Sequence, residues 1–159
     1  MDRLWAPWRG VYVSDAGAAA GCFLCAAAAG QDDQLVVARD ATTVTMLNRY
    51  PYNTGHLMVA PIDHVPDLLA AGDGGAAALM VAARRAMRAL QDAMNPEGFN
   101  VGVNHGSAAG ASIEHVHLHV VPRWGGDTNY MPVIGRIKVL PELLEATAAR
   151  LRTAFAALT

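Results

Sequence analysis

The sequence predicts an α+β fold: an antiparallel sheet of about five strands, one long helix and a C-terminal helix. Three observations predict it. Short β-branched runs between residues 35 and 61 are separated by Pro, Asn and Gly. A later stretch repeats its apolar residues at helical spacing. His115, His117 and His119 alternate with Val116, Leu118 and Val120, which is the side-chain period of a strand.

Taken in order, residues 1–30 show no sustained period and read as an irregular N-terminal arm. Trp5, Trp8, Tyr12 and Phe23 give that arm aromatic anchors, which would cover the body or a second subunit, or reach a ligand base. Leu35 to Ala38 and Thr43 to Leu47 read as strands. Asn48-Arg-Tyr-Pro-Tyr-Asn-Thr-Gly55 is turn chemistry, and His56 to Pro61 is the next strand. Asp67 to Met94 reads as helix, broken or restarted at Gly72, Gly74 and Gly75. Its stripe is Leu79, Ala83, Met87, Leu90 and Met94; Arg84, Arg88 and Asp92 fall on the solvated side. Asn95-Pro-Glu-Gly98 stops it. Phe99 to Asn104 is a strand, Gly106 to Ala111 a small-residue loop, and His115 to Val121 the histidine strand, ended by Pro122. Pro141 opens a last helix with Leu144, Ala148, Leu151 and Phe155 on its apolar face.

A chain of 159 residues is long enough for one domain with a true core and short for two, so residues 1–159 read as a single domain. Charged residues are 16% and apolar ones 53%, which argues against disorder. The net charge of -2 leaves no basic stripe for long nucleic acid, although one small anion needs only local donors. No apolar run is of membrane-spanning length, and the first residues lack an apolar signal core, so a cytoplasmic location is the expectation.

Folding does not ask for three imidazoles on one strand face. Chemistry does. Imidazole acts as nucleophile, base or acid near neutral pH. Attack on phosphorus needs a nucleophile, donors for the non-bridging oxygens and help for the leaving group. The adjacent loop Gly106-Ser-Ala-Ala-Gly-Ala-Ser112 has small side chains and exposed amides suited to an anion nest, though a plain turn reads equally well from that segment alone.

With these residues on the page, the chain resembles the histidine triad superfamily of nucleotide hydrolases and transferases. His115-Val-His-Leu-His-Val-Val121 matches its His-φ-His-φ-His-φ-φ motif, φ being apolar. Asn48-Arg-x-Pro, Gly55-His-Leu-Met-Val-Ala-Pro61 and Asn104-x-Gly-x-x-x-Gly110 match the wider frame. Arg3-Leu-Trp-Ala-Pro-Trp-Arg9 and Pro122 to Pro132 look like the bacterial branch that includes diadenosine polyphosphate phosphorylases.

The resemblance implies roles. His117 would be the nucleophile that holds a covalent nucleotidyl group, with a backbone carbonyl fixing its tautomer. His119 would contact the α-phosphate and bridging oxygen, and His56 would orient the imidazoles. Asn48 falls at a ribose ligand, Asn104 at a polar group near the phosphates, and Ser112 at a donor to phosphate or leaving group. Gly110, Ala111 and Ser112 complete the phosphate loop. Asn48 also has a plain reading as a turn cap. His105 matches no family role and reads as a surface residue; Trp124 and Tyr130 would reach either substrate or a partner subunit. Many members carry Gln where this chain has Ala111, whose methyl cannot steer water; inorganic phosphate then stands beside water as the second nucleophile.

Cys22-Phe-Leu-Cys25 has zinc-knuckle spacing, with a redox pair or two packed thiols as rivals. Relatives that bind structural zinc imply the ligand set Cys22, Cys25, His64 and His115. The resemblance also implies a homodimer acting on a nucleotide or dinucleoside polyphosphate such as diadenosine tetraphosphate. A nucleoside phosphoramidase or general nucleotide-conjugate hydrolase, and a nucleotide-binding regulatory protein, are the alternatives.

Overall fold

The computed structural model describes residues 21–31, 34–128 and 140–158. The aromatic anchors Trp5, Trp8 and Tyr12 and the loop residue Tyr130 lie outside them. A short helix α1 (Phe23–Ala28) precedes β1 (Val36–Arg39), β2 (Thr43–Leu47) and β3 (Leu57–Pro61). Helix α2 (Leu68–Met94), β4 (Gly98–Val103), β5 (Leu118–Arg123) and α3 (Leu144–Ala156) follow. Among the described residues the strands form one sheet in the order β1-β2-β3-β5-β4, with every pairing antiparallel.

The β1–β2 hairpin turns on Asp40, whose carboxylate accepts from the Thr42 and Thr43 amides at 2.9 and 2.8 Å. β2 and β3 pair without a break from Thr43↔Pro61 to Leu47↔Leu57. The β2–β3 loop returns to its origin, because the Asn48 amide donates to the His56 carbonyl at 2.9 Å. Gly55 closes that loop at φ +80; a Cβ there would come within 2.8 Å of the Met94 sulfur and 3.0 Å of Leu90. The backbone just before His56 therefore lies directly against α2.

Helix α2 is capped by Asp67, which accepts from the Ala70 amide at 2.8 Å. It breaks at Gly72, with φ 63 and ψ -179, as the glycine-rich segment predicted. Leu79, Ala83 and Leu90 of the expected stripe are buried, while Met87 and Met94 pack partly buried against the same core. The small residues Ala82, Ala86 and Ala89 complete the buried face and let the helix lie close on β2, β3 and β5. The helix ends at Asn95 in the left-handed conformation. Arg152 of α3 then fastens that helix to the sheet edge by donating to the Val36 and Gln34 carbonyls at 2.8 and 2.7 Å.

Three expectations are corrected. The arm expected to be irregular holds α1, whose six residues show too few turns for a period; Leu24 and Ala27 are fully buried, so docking on the core stabilises it. The last helix starts at Leu144 rather than Pro141. The histidine strand starts at Leu118, not His115, and runs through Pro122 to Arg123. Pro122 is tolerated because β3 pairs with β5 only as far as Val120. Ahead of β5, the chain is held by the Val116 amide donating to the Val65 carbonyl at 2.7 Å. The apolar alternation survives this change, since Val116, Leu118 and Val120 are all buried.

Candidate active site and metal cluster

Only His119 lies within β5, between Met58 of β3 and Gly102 of β4. His117 stands just before the strand with its ring centroid 4.8 Å from that of His119. His56 leads into β3 and places its ring 5.1 Å from His119. Three histidines from two segments thus converge, but the third is His56 and not His115.

The proton on each ring follows from its partners. A carbonyl only accepts, so His117 Nδ1, 2.8 Å from the His115 carbonyl, carries the hydrogen. In a neutral ring this leaves the lone pair on Nε2. Burial holds His117 below its usual range and so favours that neutral, nucleophilic form. The Tyr52 amide donates to His56 Nδ1 at 3.1 Å, so the His56 proton is on Nε2. That Nε2 donates to His119 Nδ1 at 2.9 Å. A neutral His119 then keeps its proton on Nε2, which is buried. Burial first, and the neighbouring His119 and His117 second, push His56 down to about 3. His56 is therefore a neutral donor at physiological pH, a fixed strut rather than an acid.

Tyr52, which the sequence reading passed over, stacks on His56 with centroids 4.7 Å apart. It also lines a cleft of about 220 Å³ together with His119, Asn104 and the β4 residues Gly102 and Val103. Its only sequence signal is an aromatic residue in a turn segment. Asn104 donates to the Gly110 carbonyl at 3.3 Å, tying the glycine loop to β4. Within that loop the Ala109 and Ala111 amides bond the Gly106 carbonyl, and the Gly110 amide bonds that of Ser107. These three amides are thus turned inward, away from the nest expected of them. Ser112 is half-buried in the same segment. Asn48 is buried, and its side chain accepts from the Tyr50 amide at 2.9 Å, the turn-capping geometry. His105 is exposed and lies 3.9 Å from the Asp67 carboxylate, outside this cluster. The Trp124 amide donates to Asp127 at 3.1 Å.

His115 belongs to a different group. Its Nε2 donates to the Pro61 carbonyl at 3.0 Å, which leaves Nδ1 unprotonated and facing Cys22 Sγ at 3.2 Å and Cys25 Sγ at 3.5 Å. His64 Nδ1 lies 3.2 Å from Cys25 Sγ. One ligand atom from each of Cys22, Cys25, His64 and His115 lies within 4.8 Å of the others. The four side chains are placed to hold a metal ion. Helix α1 carries Cys25 and is preceded by Cys22, so the cluster joins α1 to the backbone beside the converging histidines.

Comparison with known proteins agrees with this geometry. The HIT domain family model matches residues 29–126. An AP-4-A phosphorylase from Mycobacterium tuberculosis is 42% identical, over 98% of this chain and 85% of its own length. Among solved structures, a Zn-bound histidine triad family protein from Mycobacterium smegmatis superposes with a TM-score of 0.74 at 29% identity, covering 87% of this chain and 95% of that one. A hypothetical histidine triad nucleotide-binding protein from Sulfolobus tokodaii gives 0.73 at 26% identity, covering 86% and 93%. A five-stranded antiparallel sheet, the converging rings of His56, His117 and His119, and a family match across the whole sheet lead to one conclusion: the chain belongs to the HIT domain family.

Proposed function

We propose that this protein cleaves dinucleoside polyphosphates such as diadenosine tetraphosphate through a nucleotidyl-His117 intermediate, with inorganic phosphate as acceptor. The observation that carries the reading is the His117 tautomer, held by the His115 carbonyl so that Nε2 presents its lone pair. The likeness to an AP-4-A phosphorylase supports the substrate class.

In the first step His117 Nε2 attacks the α-phosphorus, an N–P bond forms, and the P–O bond to the bridging oxygen breaks. The leaving nucleoside polyphosphate departs as an anion, and the His119 Nε2–H hydrogen-bonds the departing oxygen. The ring charge that develops on His117 is met by the His115 carbonyl at Nδ1. In the second step a phosphate oxygen attacks the same phosphorus, the N–P bond breaks, and a nucleoside diphosphate leaves. Water in that step would give the monophosphate. Ala111 offers no side chain to orient water, which favours phosphate. Asn48, Asn104 and Ser112 supply the proposed polar contacts to substrate, while Gly110 and Ala111 shape the loop beside it, their amides being bonded within the loop.

Zinc is the proposed ion for Cys22, Cys25, His64 and His115. A tetrahedral zinc places sulfur and nitrogen ligands about 3.5 Å apart; the Sγ to Nδ1 distances here are 3.2 to 3.5 Å. Four protein ligands leave no open position, so the ion would stabilise the fold and take no part in the reaction. The donation from His115 Nε2 to the Pro61 carbonyl fixes the ring's tautomer and orientation, as a metal-binding histidine requires. We also read residues 1–159 as one domain with an N-terminal arm, assembling as a cytoplasmic homodimer; light scattering tests the dimer. No described helix is long and apolar enough to cross a membrane.

The test of the activity is enzyme quenched during turnover of diadenosine tetraphosphate and analysed by mass spectrometry. A nucleotide adduct on the His117 peptide, with ADP formed only when phosphate is present and ATP released without phosphate only as a single burst, is the expected result. AMP formed regardless of phosphate would make water the acceptor. No adduct, together with inversion at phosphorus, would reduce His117 to a base.

A further inference from the structure

Among the described residues, outside the histidines and the cysteine cluster, a dense polar network surrounds Asp127. Its side chain is only 8% exposed. Among the described residues, five donors reach its carboxylate: Arg123 Nε at 2.7 Å and a second Arg123 nitrogen at 2.9 Å, Asn53 Nδ2 at 2.8 Å, the Trp124 amide at 3.1 Å and Thr128 Oγ1 at 3.1 Å. The Arg123 guanidinium first, with the Trp124 amide and Thr128 hydroxyl adding to it, holds the carboxyl far below the usual range. Arg123 is itself braced by Asn100 of β4 at 2.6 Å. The site is therefore a fixed anion at the end of β5.

Asn53 links this anion to the active histidines. It is buried, and its amide nitrogen donates both to Asp127 and, at 3.1 Å, to the Pro122 carbonyl. Its own carbonyl accepts from the His56 amide at 3.1 Å. The residue before it, Tyr52, donates its amide to His56 Nδ1. That bond decides which His56 nitrogen carries the proton, and therefore which nitrogen of His119 does. The loop from Asn48 to His56 has short bonds at its ends, but across the sheet it is held by the Asn53 side chain.

We propose that Asn53 and Asp127 are positioning residues: clamped together, they hold the Tyr52 amide against His56 and so set the tautomers of His56 and His119. Neither contacts the reacting atoms. Asp127 acts through Asn53, and Asn53 acts through the backbone of the loop. An asparagine is needed at 53 because it must donate twice, to a carboxylate and to a carbonyl. A carboxylate is needed at 127 because five converging donors leave no room for an N–H.

The experiment uses the full chain, uniformly labelled with 15N. Long-range 15N–1H correlation spectra read the protonated nitrogen of each imidazole without substrate. In the unmodified protein His56 and His119 should show the Nε2–H form and His117 the Nδ1–H form. Asn53→Ala and Asp127→Asn should each shift His56 and His119 towards mixed tautomers and leave His117 unchanged. The kinetic arm rests on the proposed function: kcat for diadenosine tetraphosphate should fall by roughly tenfold to a hundredfold, as for a misplaced catalytic group, with KM changed much less. Asp127→Glu, which keeps the anion, should recover more activity than Asp127→Asn. Two folded variants with unaltered His56 and His119 tautomers, whatever their melting temperatures, would overturn the proposal. Absence of turnover in the unmodified protein would count against the function alone, since the spectra judge the positioning independently.

Discussion

His115 and His117 are two residues apart and serve opposite ends. His115 gives its Nε2 proton to the Pro61 carbonyl and turns Nδ1 to two thiols. His117 donates from Nδ1 to the His115 carbonyl and keeps the Nε2 lone pair free of a backbone partner among the described residues. On the proposed reading, the same side chain serves as metal ligand or nucleophile according to which nitrogen a backbone carbonyl takes. The metal cluster is also assembled from three distant segments, whereas the active group takes two. His115 serves both, one with its ring and the other with its carbonyl. In the proposed mechanism the cluster holds the backbone that aims His117 and takes no part in the chemistry.

Removing either side of this comparison should give opposite signatures. The largest effect is expected from His117→Ala. Turnover should fall to background, with nucleotide binding retained, because Val116 and Leu118 on the apolar side are untouched. Calorimetric titration with a non-cleavable nucleotide checks the binding, and retained turnover would break the assignment. Next comes loss of the metal. Chelation, or Cys22→Ser, should cost on the order of several kcal/mol of stability, measured by denaturant unfolding with metal content. The fraction still folded should keep most of its kcat. Metal analysis finding no zinc in a fully folded protein would end the idea of a structural ion.

His119→Ala is expected to lower kcat roughly a hundredfold to a thousandfold, or about 3–4 kcal/mol, the usual cost of one lost donor at a developing charge. Unlike His117→Ala, it should still form the adduct, more slowly, in a quenched sample. The last effect concerns His56 and appears only in acid. Its folded value is pushed from 6.5 to about 3, so between those limits the unfolded chain binds a proton that the folded protein does not. The contribution is complete above pH 6.5 and is lost as pH falls towards 3, at up to about 1.4 kcal/mol per pH unit. Unfolding midpoints of the unmodified protein and of His56→Asn, followed from pH 7 to pH 4, should converge as pH drops. Parallel curves would show that His56 titrates normally and is no strut.

The strand pattern was legible because β-branched residues and turn formers alternate along the chain. Thr43–Leu47 is the clearest case, its bounds read correctly from composition alone. That His56, His117 and His119 converge, and that Cys22, Cys25, His64 and His115 gather, was legible through a resemblance in motif and spacing. Less legible was His115 as the end of an irregular approach, because a period of two looks the same whether or not the backbone pairs. Asn53 and Asp127 left no signal at all: each is an ordinary turn residue until the fold brings them to 2.8 Å across 74 positions of sequence.

By itself, then, the sequence determined what lies in contact along a few residues: strand and helix periods, the break at Gly72, the turn around Asn48 and the supply of imidazoles and thiols. Tertiary structure alone decided the state of each of those groups. Whether a ring nitrogen holds a proton depends on which carbonyl or amide faces it, and for His115 and His119 those partners come from the packing of β3 against β5 and the segment that leads into it. Pro61 reaches His115 across 54 residues, and His56 reaches His119 across 63. Local propensity carries no information about such pairs, because their geometry exists only once the sheet has closed.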